Sequence, residues 1–239
     1  MSAFEIRIVE ETGSTNADQA SRVRAGDARE GQWLVARRQS AGKGRQGREW
    51  FDGSGNFMGS TLVALGQGEP PPATLSFVAA LALYDAVAQS LPPLTQLALK
   101  WPNDALMNGG KLSGILLELV GQFVVVGIGV NLSRAPQLPD RKTAAVADVA
   151  PAPDLEWFAQ RMAQAFAQRL STWRQSGLEP VLSQFLACSM HEPGSPVSVH
   201  DTDGSRVEGA FAGLDQSDGA LRLRLADGSE RVIRAGDVV

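Results

Sequence analysis

The sequence predicts an α+β protein: a mixed or antiparallel sheet flanked by helices, followed by a small all-β module. Three observations carry this expectation. Across residues 72–91 and again across 154–175, apolar residues recur with the 3.6-residue period of a helix. Residues 97–131 hold strand-like runs joined by two-residue turns, which forces successive strands to run antiparallel. From Pro193 onward the helical period stops, and three Asp-Gly turns separate short alternating runs.

Taken in order, residues 4–9, FEIRIV, alternate apolar and polar and read as a strand. Thr15 with Asp18 three residues on predicts a capped helix start, and Gly26 its stop. Residues 32–38 and 57–65 read as strands on either side of a glycine-rich segment. Pro72 and Thr74 mark the start of a helix whose stripe is Leu75, Val78, Ala79, Ala82, Leu83, Ala86 and Val87. Asn108-Gly109 is a strong hairpin turn, and Gly121-Gln122 is a second. Two-residue turns at both places set Lys111 opposite Leu106 and Gly114 opposite Gly129. Facing glycines leave backbone bare, which suits either close approach of a ligand or a bulge or tight bend.

Residues 134–154, rich in Pro and Ala, read as a loop. Asp154 caps a long helix to about Gln175, and residues 178–189 form a shorter one containing Cys188 as a core residue. Beyond a boundary near residue 192, the turns Asp203-Gly204, Asp218-Gly219 and Asp227-Gly228 build a module resembling an SH3 barrel. The expected division is 1–192 and 193–239.

Composition bounds the function. With 239 residues, 44% apolar and 20% charged, the chain matches an ordinary globular protein. Its formal net charge is −4, so any attraction to phosphate is local rather than global. A single cysteine fits a reducing compartment. The amino terminus lacks the apolar run of a signal peptide, and no run reaches membrane-spanning length, so a cytoplasmic location is expected.

The segment RRQSAGKGRQGREWFDGSGN, residues 37–56, interleaves Gly42, Gly44 and Gly47 with Lys43, Arg45 and Arg48. GKGRQG formally matches the dinucleotide fingerprint, but that motif opens a helix, and REWFDGSGN does not read as one. GGKLSG has neither the spacing nor the Ser/Thr of a Walker loop. The glycines therefore serve a loop that stays a loop. Its cations repel one another, so it is expected to be mobile until an anion lets it fold over. A second cluster is KWPND, residues 100–104, with Lys111 on the return strand and Asn131 closing GIGVN. Polar groups at the ends of adjoining strands can converge.

In combination these stretches are specific. GSTN at 13–16, QSAGKGRQGREW at 39–50, KWPND at 100–104, GGKLSGILLE at 109–118 and GIGVN at 127–131 make the chain resemble the biotin protein ligases, of the type without an N-terminal DNA-binding domain. The resemblance implies a catalytic fold similar to the class II aminoacyl-tRNA synthetase core. It implies two steps: the biotin carboxylate attacks the α-phosphate of ATP, and a lysine of a biotin carboxyl carrier domain then takes the biotinyl group from the adenylate. Biotin, ATP and Mg²⁺ are the implied reactants and ion, with no metal site of the protein's own. The implied partner is the carrier domain of a biotin-dependent carboxylase such as acetyl-CoA carboxylase. A homodimer lies within what the resemblance allows; membrane attachment and specific DNA binding do not.

The resemblance also assigns residues. Ser14, Thr15, Asn16 and Gln39 would meet biotin, with Lys43 at the loop and Gly114 leaving room. Lys111 would meet the biotin carboxylate and then the adenylate linkage. Arg45 and Arg48, with Lys43, would bind phosphates. Trp50 would cover the adenine or its loop, or else anchor the core. Lys100, Asn103 and Asn131 would surround the adenylate. Asp104 would either deprotonate the incoming lysine or assist Mg²⁺. Lys43 and Gln46 stand where many relatives carry arginine: Lys43 keeps the charge without the bidentate fork, and Gln46 loses it. Two rivals are a lipoate-protein ligase and a non-enzymatic nucleic-acid-binding module. The Gly- and cation-rich loop ending in Trp50 favours biotin over lipoate, and the acidic total and lack of an aromatic stacking series disfavour the second rival.

Overall fold

A computed structural model of the chain describes residues 4–139, 141–201 and 205–238. The chain builds β1 (Glu5–Thr12), α1 (Thr15–Ala25), β2 (Gln32–Gln39), β3 (Phe57–Ala64), α2 (Leu75–Ala88), β4 (Leu97–Lys100), β5 (Asp104–Met107), β6 (Gly110–Val120), β7 (Phe123–Val130), α3 (Leu155–Ser176) and α4 (Glu179–Ala187). The seven strands form one sheet in the order β1-β2-β3-β7-β6-β5-β4. Only the β1–β2 pair, joined through α1, is parallel, so the sheet is mixed as expected.

Strand alternation gives this sheet two different faces. Phe57, Val63, Val124, Val126, Ile128 and Val130 point to one face and are buried in the main core with α2 and α3. There Trp33 meets Phe166, and Phe57 meets Phe158, in edge-to-face contacts with centroids 5.6 and 5.2 Å apart. Each such buried side chain contributes roughly 1.5–3 kcal/mol. Leu62 and Val125 point to the opposite face, where Ala20 and Val23 of α1 cover them. α1 is short and covers only part of that face.

The β5–β6–β7 meander has the expected register at Lys111–Leu106 and Gly114–Gly129, but a bulge between Ala105 and Leu106 then shifts β5 by one residue and sets Asp104 opposite Gly114. Asn108 and Gly109 both take positive φ, 48° and 75°, as a hairpin turn of this kind requires. Lys111 lies opposite Leu106, and Gly114 opposite Gly129. Several boundaries differ in detail. Ser14, not Thr15, caps α1, accepting from the Ala17 N–H at 3.4 Å, and frees Thr15 to turn inward. Thr74 makes no cap; its Oγ1 donates to Pro71 O and accepts from Trp173 Nε1. The 134–154 loop contains a short 3₁₀ turn, Val146–Asp148, and Thr143 pairs with Lys111 as an isolated parallel bridge. Cys188, expected inside a helix, instead caps the end of α4 and is half-buried.

The remaining strands, β8 (Pro196–Asp201), β9 (Arg206–Leu214), β10 (Leu221–Arg224), β11 (Glu230–Ile233) and β12 (Gly236–Val238), form an antiparallel sheet in the order β11-β10-β9-β8-β12. Its two edge strands are joined by only Arg234 and Ala235, so the sheet must curl to bring them together. Asp218 and Asp227 turn the chain as expected, accepting from the backbone N–H of Ala220 and Ser229. The Asp203-Gly204 turn lies outside the described residues. The entry into this sheet is tied to β4: Leu99 N donates to Cys188 O at 2.8 Å, and Met190 N donates to Leu99 O at 2.9 Å. Trp101, buried beside β4, donates its indole N–H to Gly219 O at 3.1 Å. The small sheet is thereby fixed beside KWPND. Among the described residues no helix is long and apolar enough to cross a membrane.

Candidate active site

Pairing registers bring Lys100, Asp104, Gly114, Gly129 and Met58 into one row across the large sheet, on the face that α1 leaves open. The next row holds Leu116, Gly127 and Ser60, beneath the start of α1. Two polar groups of opposite character lie on this face.

Next to α1 the group is neutral and buried, and it is tied at its edge to one exposed carboxylate, Glu118. The backbone N–H of Thr15 donates to Gln39 Oε1 at 2.7 Å, and its hydroxyl shares one proton between Gln39 Oε1 at 3.0 Å and Ser60 Oγ at 2.7 Å. Ser60 Oγ donates to Asn16 Oδ1 at 2.6 Å, and Asn16 Nδ2 donates to Glu118 Oε2 at 2.6 Å. Asn16 has room because residue 127 is glycine; a Cβ there would fall 2.1 Å from Asn16 Oδ1. Ser60 and Glu118 were not singled out from sequence. Ser60 sits within the apolar run FMGSTLVAL on the face away from the main core, and a polar residue in the middle of such a run is the signal that could have found it.

Toward β4 the group is charged and partly exposed. Lys111 Nζ donates to Asp104 Oδ1 at 2.6 Å. Its backbone is held by the 142–144 segment: Lys111 N donates to Lys142 O, and Lys111 O accepts from Ala144 N, both at 2.9 Å. Burial of Lys100 pushes its ammonium below the ordinary lysine value, and nearby Asp104 opposes that shift. Arg45 donates to Asn103 Oδ1 at 3.0 Å, to Asp237 Oδ1 at 3.1 Å and to Gly236 O at 3.2 Å. Arg48 donates to Asp237 Oδ2 at 2.5 Å. Asn103 is itself fixed on β6, donating to Ile115 O at 2.7 Å.

The glycine-rich loop was expected to stay mobile because its cations repel. In the structure it is folded: Lys43 and Glu49 form a bridge, Trp50 N donates to Gly42 O at 3.0 Å, and Arg45–Gly47 make a 3₁₀ turn with Gln46 and Gly47 at positive φ. The repulsion is met by Asp237, a carboxylate from the small sheet that sequence reasoning did not single out. No helix follows the turn, which agrees with rejecting the dinucleotide fingerprint.

The bare patch at Gly114 and Gly129 is covered by Trp50. A Cβ at Gly129 would fall 2.3 Å from Trp50 Cε2, and one at Gly114 would fall 3.0 Å from Cζ3. The indole N–H is buried there with no acceptor. Asn131, placed around the adenylate by resemblance, directs its amide to Ala144 O at 3.2 Å and Lys111 O at 3.4 Å, holding the 142–146 segment in place. Ser14 caps α1, and Lys43 is exposed. The structure thus brings together Thr15, Asn16 and Gln39 at one end, and Lys100, Asn103, Asp104, Lys111, Arg45 and Arg48 at the other, with Trp50 and Gly114 between.

The family model "Biotin/lipoate A/B protein ligase family" matches residues 9–131, and "Biotin protein ligase C terminal domain" matches residues 194–239. A biotin–[acetyl-CoA-carboxylase] ligase of Paracoccus denitrificans is 42% identical, the match covering 86% of this chain and 89% of that protein. The enzyme of the same name from Mycobacterium tuberculosis is 36% identical over 98% of this chain and 88% of that protein. The fold is similar to that of the biotin protein ligase from Aquifex aeolicus solved in complex with biotin and ATP, with a TM-score of 0.84, 22% identity, and coverage of 98% and 97% of the two chains.

Proposed function

The chain belongs to the biotin protein ligase family, and from that premise we propose that it activates biotin with ATP and transfers it to one lysine of a biotin carboxyl carrier domain, such as that of acetyl-CoA carboxylase. The observation that supports this most is the meeting of two groups on one sheet face: a buried hydrogen-bonding end suited to a neutral ring, and a cationic end suited to carboxylate and phosphate.

In the first step a biotin carboxylate oxygen bonds to the α-phosphorus of ATP while the bond to the β-phosphate oxygen breaks, giving biotinyl-5′-adenylate and pyrophosphate. Two unit charges about 4 Å apart repel by about 1 kcal/mol in water and several-fold more in a dry site. Lys111 exchanges Asp104 for the biotin carboxylate, and Arg45 and Arg48 receive the phosphates, so fixed cations offset that repulsion as charge builds on phosphorus. Thr15 and Gln39 hold the ring, with Asn16 and Ser60 keeping them aligned and Ser14 shaping the approach. Trp50 walls the ring-to-nucleotide junction over Gly114, and Lys43, Lys100, Asn103 and Asn131 line the nucleotide end.

In the second step the carrier amine attacks the adenylate carbonyl, AMP leaves, and Asp104, released from Lys111, takes the amine proton. The closed loop keeps water from the mixed anhydride until the carrier arrives. Mg²⁺ bound to the nucleotide would supply further positive charge to the phosphates beside Arg45 and Arg48. Residues 1–192 form the catalytic unit and 193–239 the accessory unit in this reading, and the reaction takes place in the cytoplasm.

The test is incubation with labelled biotin, MgATP and a biotin-acceptor domain, with lipoic acid in a parallel reaction. Label on the acceptor lysine from biotin alone is expected; activation of lipoic acid without biotin would refute the assignment.

A further inference from the structure

We infer that Asp237, on β12 of the small sheet, is a positioning residue for the phosphate-binding arginines, so that the accessory unit completes the adenylation site. The inference rests on the proposed function above.

Arg45 lies 192 residues before Asp237 in the chain, yet the two are joined by an ion pair at 3.1 Å, and Arg48 reaches the other carboxylate oxygen. One carboxylate thus bridges two guanidinium groups of the same loop. A guanidinium has five N–H donors. Arg45 directs both donors of Nη1 to Asn103 and Asp237, and one donor of Nη2 to Gly236 O. That leaves Nε–H and one N–H of Nη2 uncommitted among the described residues, the number a bidentate grip on an anion uses. The arginine is therefore held from behind by three acceptors while part of its fork stays available.

Asp237 itself is well anchored. Its strand pairs with β8, Asp237 opposite His200, and Gly236 packs so tightly there that a Cβ would fall 2.7 Å from His200 O. The Leu99–Cys188–Met190 bonds and the Trp101–Gly219 bond fix the small sheet beside β4 and β5. A frame fixed beside β4 that holds this glycine-bearing loop by its cations adds orientation to what the loop's own backbone bonds supply. It also removes mutual repulsion between Arg45 and Arg48 before any phosphate is present.

The experiment compares Asp237→Ala, the near-isosteric Asp237→Asn and the charge-keeping Asp237→Glu in the full chain. The readouts are single-turnover adenylate formation from biotin and MgATP, equilibrium biotin affinity, ATP affinity and retention of adenylate. Removing the carboxylate is expected to slow adenylate formation at saturating ATP about tenfold, within the roughly 10²-fold that misplacing a group can cause. Biotin affinity should stay within about twofold, adenylate should escape faster, and Asp237→Glu should recover most of the rate. In an Arg45→Ala background, Asp237→Ala should add little, because the two act as a unit. Unchanged adenylation in Asp237→Ala and Asp237→Asn would overturn the inference, as would tighter ATP binding with a faster rate, which would mark Asp237 as a competitor of phosphate. A parent protein that forms no adenylate would refute the function instead, and the cycle on ATP affinity would then report the Arg45–Asp237 coupling by itself.

Discussion

The two polar groups on the open sheet face differ in how they are held. Thr15, Gln39, Ser60 and Asn16 are buried, and they hydrogen-bond chiefly to one another. Lys111, Arg45 and Arg48 are partly exposed, and a protein carboxylate answers each of them. A buried polar group left without its partner costs about 1–3 kcal/mol, so the first network has few alternative arrangements. A partly exposed ion pair is worth at most about 1 kcal/mol, so Asp104 can give way to another anion at little cost, and Arg45 can add an anion through the donors that Asp237 leaves uncommitted. Recognition is placed where geometry is rigid, and charge chemistry where partners exchange.

Variants on either side should separate the two ends. The largest effect is expected from Lys111→Ala, which removes the only cation bonded to Asp104 among the described residues. Single-turnover adenylate formation should fall by about 10²–10³-fold, the range for losing one donor aimed at developing charge. A fall of less than tenfold would mean that the charge is met elsewhere.

Ser60→Ala is expected to come next and to act through the neutral end. It takes the donor from Asn16 and a partner from Thr15, so unfolding in urea should lose about 1–3 kcal/mol, with weaker biotin binding alongside. Weaker adenylation at saturating biotin with unchanged stability would break the distinction between the ends.

The smallest effect belongs to His191, beyond the charged end and against the Phe211 ring. Burial, and then the charge of Lys100, hold its imidazole below the ordinary value of 6.5. The unfolded chain therefore takes up this proton first as pH falls below 6.5, and stability drops between that value and the lowered folded one. His191→Phe should show a shallower loss of urea midpoint between pH 7 and 5. An equal loss in both proteins would show that the ring is not the source.

Much of this site was legible in the sequence because turn chemistry determines register next to each turn, although the bulge at Ala105–Leu106 that sets Asp104 opposite Gly114 was not. Asn108-Gly109 and Gly121-Gln122 place Gly114 against Gly129 and Lys111 at the edge of the row, and the strands follow. What stayed hidden depends on contacts between distant segments. Asp237 lies in a short strand whose sequence carries no motif, and its role depends on how the small sheet docks. Trp50 fills the glycine patch that sequence reasoning left open to a ligand or a bend, because the loop folds back upon it. Ser60 reads as one polar residue in an apolar strand until α1 brings Thr15 and Asn16 over it.

The most direct measurement sets Gln39→Ala beside Arg45→Ala, with equilibrium biotin affinity and single-turnover adenylate formation at saturating biotin recorded for both. The account predicts a crossover: Gln39→Ala binds biotin about tenfold or more weakly yet adenylates within a few-fold of the parent, while Arg45→Ala binds biotin nearly as the parent does and adenylates far more slowly. Both variants losing affinity and rate in the same proportion would contradict it.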